Sequence, residues 1–358
     1  MAKLRVLVVE DSLTVRRRLV EVLESDPDIE VVGEAGDGQT GFELCRTLRP
    51  DVVTLDMLLP VMTGLAATEQ IMAHVPTPIL IVSSSTNRGD LFKTYEALAA
   101  GAVDVLEKPP GDDHDDAWIV RFLSAVKLVS RIKVITHPRA RLGSVGRAAA
   151  AAPAPAWTAA PPADRRARLV AIGASTGGPS ALVSVLRGIP RDVEATILVV
   201  LHIDEPFGAA FAEWLGTQTS HHVTYPTGGE LARSPGRRVF MAPPGKHLVL
   251  RSGRLEFSYE PERHSCRPSI DVLFESIARE DAHEALGCLL TGMGRDGAQG
   301  LLQLRRAGSQ TIAQDEETCV VYGMPREAAL LGAAERILPL GDIGAAIARA
   351  TLPASRRP

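Results

Sequence analysis

Residues 171–182 read AIGASTGGPSAL, a serine set among glycines directly after an apolar run. Two chemistries ask for that arrangement. A glycine-rich turn can wrap backbone amides around a phosphate, or it can present Ser175 as a nucleophile. A phosphate loop GxxxxGK[ST] finds its glycines at Gly173 and Gly178, but Pro179 occupies the lysine position. A dinucleotide fingerprint GxGxxG requires glycine at 175, which is serine here. The nucleophile pattern GxSxG does fit, from Gly173 through Ser175 to Gly177. That pattern is short and carries weight only if partners exist.

A serine hydroxyl at neutral pH needs a base within hydrogen-bond reach and a group to orient that base. Of the nine histidines, only His202 closes a buried-strand pattern, ATILVVLH, which puts it on the same sheet edge as Ser175. The third partner is sought at another strand end. LGCLLTGMGRDGAQG runs from an apolar strand through a glycine-rich loop into a helix and offers Asp296. Backbone amides around Met293 and Gly294 are placed to receive an oxyanion. Taken singly, a strand-end histidine is more often a cap, and an aspartate beside glycines is more often a helix N-cap. Three such residues converging with GxSxG favour the triad. The order Ser, His, Asp differs from that of α/β-hydrolases, which points to another hydrolase fold.

A second cluster lies near the N-terminus. Glu10 and Asp11 follow one apolar run, Asp56 a second, Ser83 a third and Lys108 a fourth. Three carboxylates gathered at one sheet edge repel unless a cation sits among them, and oxygen ligands favour Mg²⁺. Asp56, flanked by the metal and Lys108, can accept a phosphoryl group whose oxygens Ser83 and Lys108 contact. Ordinary helix caps explain any one of these residues but not the whole set.

The elements that position these residues follow from periodicity. LRVLVVE, IEVVGEA, DVVTLDM, PILIVSS and AVDVLEK alternate with amphipathic stretches, which predicts a doubly wound parallel sheet. RLVAIGA, ATILVVLH, RRVFMAP, LGCLLTG and SQTIAQD repeat the pattern, with residues 223–260 reading as inserted β-hairpin material. Between the two lies the Ala/Pro/Arg-rich stretch 138–168, read as a linker in which Trp157 is the only bulky apolar residue. The boundaries are 1–125, a connecting segment 126–167, and 168–352. A chain of 358 residues with 45% hydrophobic and 4% aromatic content supports two α/β cores. A net charge of −4 gives no argument for nucleic acid or a membrane surface. No apolar run nears the ~18 residues of a membrane span, and the N-terminus does not read as a signal peptide. Four cysteines without metal-like spacing are expected to be reduced thiols in a cytoplasmic protein.

The set VVED, LDMLLPVMTG, VSSS and EKPP resembles the receiver domain of two-component response regulators. That resemblance implies a flavodoxin-like fold, Asp56 as phosphoacceptor, Mg²⁺ on Asp11 and Asp56 with Glu10, and a CheA-type histidine kinase as donor. Val105 stands where many receivers carry an aromatic residue, and LLPVMTG lacks their usual acid. IGASTGG, LHIDEPFGAAFAEWL, HSCRPSIDVLF, LTGMGRDGAQGL and IAQDEETCVVYGMPREA resemble the CheB-type methylesterase domain. The implied fold is Rossmann-like with a hairpin insertion. The implied activity is hydrolysis of glutamyl methyl esters, with deamidation of glutamines, on the cytoplasmic helices of chemoreceptors. The same resemblance implies Ser175 as nucleophile, His202 as base, Asp296 as its partner, the Met293 amide at the oxyanion and Thr176 as a further contact. The family pattern QHMP is here Leu201-His202-Ile203-Asp204. Further expectations are a monomer, no metal for the esterase step, and a receiver that hinders access to Ser175 until phosphorylated. Two other classes stand against this reading, a binding-only output module and a DNA-binding regulator. The intact triad opposes the first, and the absence of a helix-turn-helix pattern opposes the second.

Overall fold

Near-continuous Val, Ile and Leu runs suit strands buried on both faces, and five such runs form the first sheet. The computed structural model describes residues 3–84, 87–109, 115–132, 134, 166–233 and 238–352. The chain divides into two compact units, Met1–Ser144 and Val145–Pro358. Apart from residues 166–168, the stretch 138–168 with Trp157 lies outside the described residues.

The first unit runs β1 (Leu4–Val9), α1 (Leu13–Glu24), β2 (Ile29–Ala35), α2 (Gly38–Leu48), β3 (Val52–Leu55), α3 (Gly64–His74), β4 (Ile79–Ser83), α4 (Arg88–Ala100), β5 (Asp104–Glu107) and α5 (Asp116–Val129). The sheet is parallel in the order β2-β1-β3-β4-β5. All five helices begin on a polar side chain that accepts from the backbone N–H three residues on: Ser12, Asp37, Thr63, Asn87 and Asp115. The order reverses at β1 and β3, so their C-terminal ends border the crevice where such folds bind ligands.

The second unit runs β6 (Leu169–Ala174), α6 (Gly178–Arg187), β7 (Thr196–Leu201), α7 (Glu205–Gly208), α8 (Phe211–Gln218), β8 (His222–Thr224), β9 (Arg238–Met241), β10 (His247–Arg251), β11 (Arg254–Ser258), α9 (Ile270–Glu280), β12 (Ala285–Leu289), α10 (Ala298–Arg306), β13 (Gln310–Gln314), α11 (Met324–Leu330), β14 (Arg336–Leu338) and α12 (Leu340–Thr351). Seven parallel strands stand in the order β14-β13-β12-β6-β7-β9-β8. Here the reading of 223–260 as hairpin material needs correcting. β9 is the RRVFMAP strand of the main sheet as expected, but β8 joins that sheet too, and among the described residues only β10 and β11 pair as an antiparallel hairpin. Three-residue edge strands such as β8 and β14 are too short to show a period.

The reversal falls between β6 and β12, on the edge that carries Ser175. Helix α9 buries Ile270, Leu273, Phe274 and Ile277, an i, i+3, i+4, i+7 stripe, in the core shared with β6, β7 and β12. It seats closely because Gly173 has no side chain: a Cβ there would lie 2.4 Å from Ile270. Among the described residues no helix is long and apolar enough to cross a membrane.

Candidate functional site

At the first crevice Glu10 and Asp56 are buried and Asp11 is exposed, with one oxygen of each within 4.8 Å of the others. Lys108 Nζ lies 2.8 Å from Glu10 Oε2 and 2.9 Å from Asp56 Oδ2. One ammonium thus serves two buried carboxylates, with a third carboxylate beside them. Burial, reinforced by repulsion from Asp56, pushes Glu10 up to about 7 against the pull of Lys108. Burial would lower Lys108, but its bonds to Glu10 and Asp56 outweigh that and raise it. Ser83 closes β4, is buried, and its carbonyl accepts from Lys108 N at 3.1 Å. Glu10 Oε2 keeps the ion pair but no aligned hydrogen bond. This all-oxygen set with unmet demand for positive charge fits a hard divalent cation.

At the second crevice strand register does the positioning. Ala174 pairs with Leu201, so the next residues, Ser175 and His202, leave neighbouring strands side by side. His202 N donates to Ala174 O at 3.0 Å, and Ser175 N donates to Thr291 O at 3.0 Å. The chain turns from β6 into α6 through Gly177 at φ 75, so the left-handed residue is the glycine and not the serine. A Cβ on Gly292 would lie 2.6 Å from Ser175 Cβ, so that loop approaches the serine only because it is glycine.

His202 Nε2 lies 2.9 Å from Asp296 Oδ2. Asp296 is buried and is not the cap of its own helix, a place taken by Gly297 at φ 87. Instead it sits on the N-terminus of α9. Its Oδ1 accepts from Ser269 Oγ at 2.7 Å and Asp271 N at 3.1 Å, and its Oδ2 accepts from Ile270 N at 2.7 Å. Burial would raise Asp296, but His202, Ser269 and Ile270 outweigh it and hold the carboxyl below its ordinary range. Burial likewise works against charge on His202, but the Asp296 bond, followed by the Cys266 contact, pushes it up to about 9. The other ring nitrogen, Nδ1, faces Cys266 Sγ at 3.6 Å. Among the described residues no hydrogen bond joins Ser175 Oγ to that nitrogen; such bonds often tighten only with substrate. Thr176 is buried beside the serine, and its carbonyl accepts from Thr291 Oγ1 at 3.1 Å. Met293 is exposed and precedes Gly294 at φ 85.

Residues 170–347 match the CheB methylesterase family and residues 6–115 the response regulator receiver domain. A protein-glutamate methylesterase/protein-glutamine glutaminase of Nitrosospira multiformis is 42% identical over 96% of this chain and 96% of its own length. A Symbiobacterium thermophilum protein of the same name is 42% identical over 97% of each chain. The chain belongs to the CheB methylesterase family. The crystal structure of the Thermotoga maritima CheB methylesterase catalytic domain is 31% identical, covers 51% of this chain and 97% of that one, and has a TM-score of 0.48.

Within this CheB-type chain, one departure noted in the sequence has a physical explanation. Thr63 replaces the usual acid of the LLPVMTG segment yet still caps α3, its Oγ1 accepting from Ala66 N at 3.3 Å. Asp204, in the altered strand end, is exposed and opens α7 without a side-chain cap bond. Nothing in the structure explains Val105 beyond its burial in β5. Sequence reasoning missed Cys266, Ser269 and Thr291. Ser269 and Cys266 lay in the quoted HSCRPSIDVLF, where a serine before an amphipathic helix marks a cap. Thr291 is fully buried and ties two loops together, accepting from Val321 N at 2.9 Å while donating towards Thr176 O.

Proposed function

We propose that this chain is a phosphorylation-activated protein-glutamate methylesterase and protein-glutamine glutaminase acting on chemoreceptors. It comprises a receiver at 1–125, a connecting segment at 126–167 and a catalytic domain at 168–352. The observation that carries the reading is the His202 Nε2–Asp296 Oδ2 bond of 2.9 Å at the strand end beside Ser175. It is supported by relatives of that name at 42% identity over almost the whole chain.

Ser175 Oγ attacks the glutamyl ester carbonyl while its proton passes to His202 Nδ1, the nitrogen not engaged by Asp296. Asp296 holds the proton on Nε2 and stabilises the imidazolium that forms. Negative charge on the carbonyl oxygen is received by backbone N–H groups at Met293, with Thr176 lining the same pocket. Collapse of the intermediate expels the methoxy group, which takes the proton from Nδ1 and leaves as methanol. Water, deprotonated by His202, then attacks the acyl-serine, releasing glutamate and restoring Ser175. With glutamine the same steps release ammonia.

In the receiver, Asp56 accepts a phosphoryl group from a kinase phosphohistidine, with Lys108 and Ser83 contacting its oxygens. Asp11 and Asp56, with Glu10, would hold Mg²⁺. When bound, that ion supplies positive charge against the phosphoryl oxygens. Because the substrate glutamates lie on cytoplasmic receptor helices, we place the enzyme in the cytoplasm, working as a monomer. The test is methanol release from methylated receptor membranes. Ser175→Ala is expected to abolish it, and retained release sinks the assignment.

A further inference from the structure

We propose that Cys266 is a positioning residue for the esterase reaction, holding the Nδ1 edge of His202 until Ser175 takes its place. The inference rests on the reading of His202 as the base. Two side chains flank the imidazole: Asp296 at Nε2, 2.9 Å away, and Cys266 Sγ at Nδ1, 3.6 Å away. A thiol that donates to Nδ1 requires the proton to sit on Nε2, which is the tautomer Asp296 also requires. Between the two neutral tautomers, both contacts therefore select the one that can accept a proton from Ser175, while in the imidazolium Nδ1–H faces the sulfur instead.

The chain accepts backbone strain to place that sulfur. Cys266 N donates to Arg263 O at 3.0 Å and Arg263 N to Cys266 O at 3.2 Å, closing a tight turn. Its two central residues, His264 at φ 53 and Ser265 at φ 59, are both left-handed, where such turns favour Asn and Gly. Strain of this kind persists only where its surroundings fix it. Here they do. His264 Nε2 lies 3.1 Å from Asp271 Oδ2, and Arg263 Nη1 donates to Glu275 Oε2 at 2.7 Å. Asp271 and Glu275 belong to α9, the same helix whose N-terminus grips Asp296. One helix seated in the core thus sets both edges of the imidazole.

A thiol also suits the handover. It is a weak donor, so a serine hydroxyl brought up with the ester displaces it from Nδ1. Its proton then has a second acceptor at hand, the His264 carbonyl oxygen at 3.4 Å. The sulfur holds the ring without blocking the reaction.

The test uses the full chain and four readouts: kcat and KM on methylated receptor membranes, the rate of fluorophosphonate labelling of Ser175, thermal midpoint, and ¹⁵N resonances of the His202 ring. Cys266→Ala is expected to lower kcat about tenfold with KM within about twofold, since loss of orientation acts on the reacting geometry. It should slow fluorophosphonate labelling by the same factor and, in spectra taken above about pH 9 where the ring is neutral, replace one ring tautomer by a mixture, with an unchanged midpoint. Cys266→Ser, which keeps a donor, should recover activity to within about threefold of the parent. Wild-type kcat and labelling in Cys266→Ala, beside an inactive His202→Ala, overturn the proposal. So does a rise in KM alone, which assigns the sulfur to the substrate groove. An active His202→Ala removes the base assignment itself, a separate failure.

Discussion

Replacing Asp296 by Asn changes one atom and tests the electrostatics of the site directly. The amide oxygen can keep the Oδ1 position, accepting from Ser269 Oγ and Asp271 N. Its NH₂ then falls at the Oδ2 position, where it meets two donors, Ile270 N–H and His202 Nε2–H. The ring answers by moving its proton to Nδ1, leaving no lone pair for Ser175. In triads of this kind the wrong tautomer costs roughly 10⁴ in kcat. The same change removes the largest influence raising His202, which then falls from about 9 towards its ordinary 6.5, a difference of about 3 kcal/mol. At pH 7 that lifts the neutral fraction from about 1% to as much as three-quarters, partly masking the loss. The deficit of Asp296→Asn should therefore grow from about a hundredfold at pH 7 to several thousandfold at pH 9. Parent activity should climb as pH rises through about 9, because the base must be neutral. Stability runs the other way. The contribution from the raised His202 is complete below 6.5 and lost as pH climbs through about 9. Pre-steady-state ester hydrolysis across pH 6–10, with melting curves, measures all three. A deficit that is constant with pH refutes the assignment of Asp296 as the cause of the raised base.

Gly177→Ala puts a side chain on a residue at φ 75, with its Cβ 2.5 Å from Val320 Cβ. The expected cost is about 2–4 kcal/mol, read as a fall of roughly 5–10 °C in thermal midpoint; an unchanged midpoint contradicts the left-handed turn. Glu10 keeps its proton up to about 7, so its unfolded counterpart ionises first and its contribution to stability declines as pH rises from 4.5 to 7. Mg²⁺ must displace that proton, so its apparent affinity should strengthen between pH 6 and pH 8, and Glu10→Gln should flatten the trend in a fluorescence or melting titration. A fragment starting at Arg168 is expected to turn over ester faster than the unphosphorylated full chain, with equal rates counting against control by the receiver.

Much of this was legible in the sequence because it depended on strand ends. Ala174 and Leu201 are paired, so a serine after one strand and a histidine after the next leave the sheet side by side. Asp296 was legible as an acid in a glycine-rich strand exit. Its grip by α9 was not, because the three donors Ser269, Ile270 and Asp271 are local only to one another. Which ring nitrogen faces which partner depends on a side-chain angle that no spacing encodes. The edge strands β8 and β14 escaped for a simpler reason: three residues show no alternation. The turn bearing Cys266 contradicts local preference outright, with His264 and Ser265 in places that favour glycine. Such conflicts between local and tertiary demands gather at functional sites.

The two crevices share a topology and differ in how they treat a buried carboxylate. At Asp296 both oxygens are filled by donors from a helix N-terminus, a hydroxyl and an imidazole, and the acid is held in its charged form. At Glu10 a single ammonium is shared with Asp56, and the acid is pushed towards its neutral form. The first arrangement is complete in its donors, so its charge is spent on fixing a neighbouring ring. The second is short of positive charge, so it gains from a bound cation, and the negative charge of an added phosphoryl group would deepen that demand. A site that must remain poised for every turnover benefits from the first. A site that must change state on a signal requires the second, because only an unbalanced cluster changes its energy steeply when one group is added.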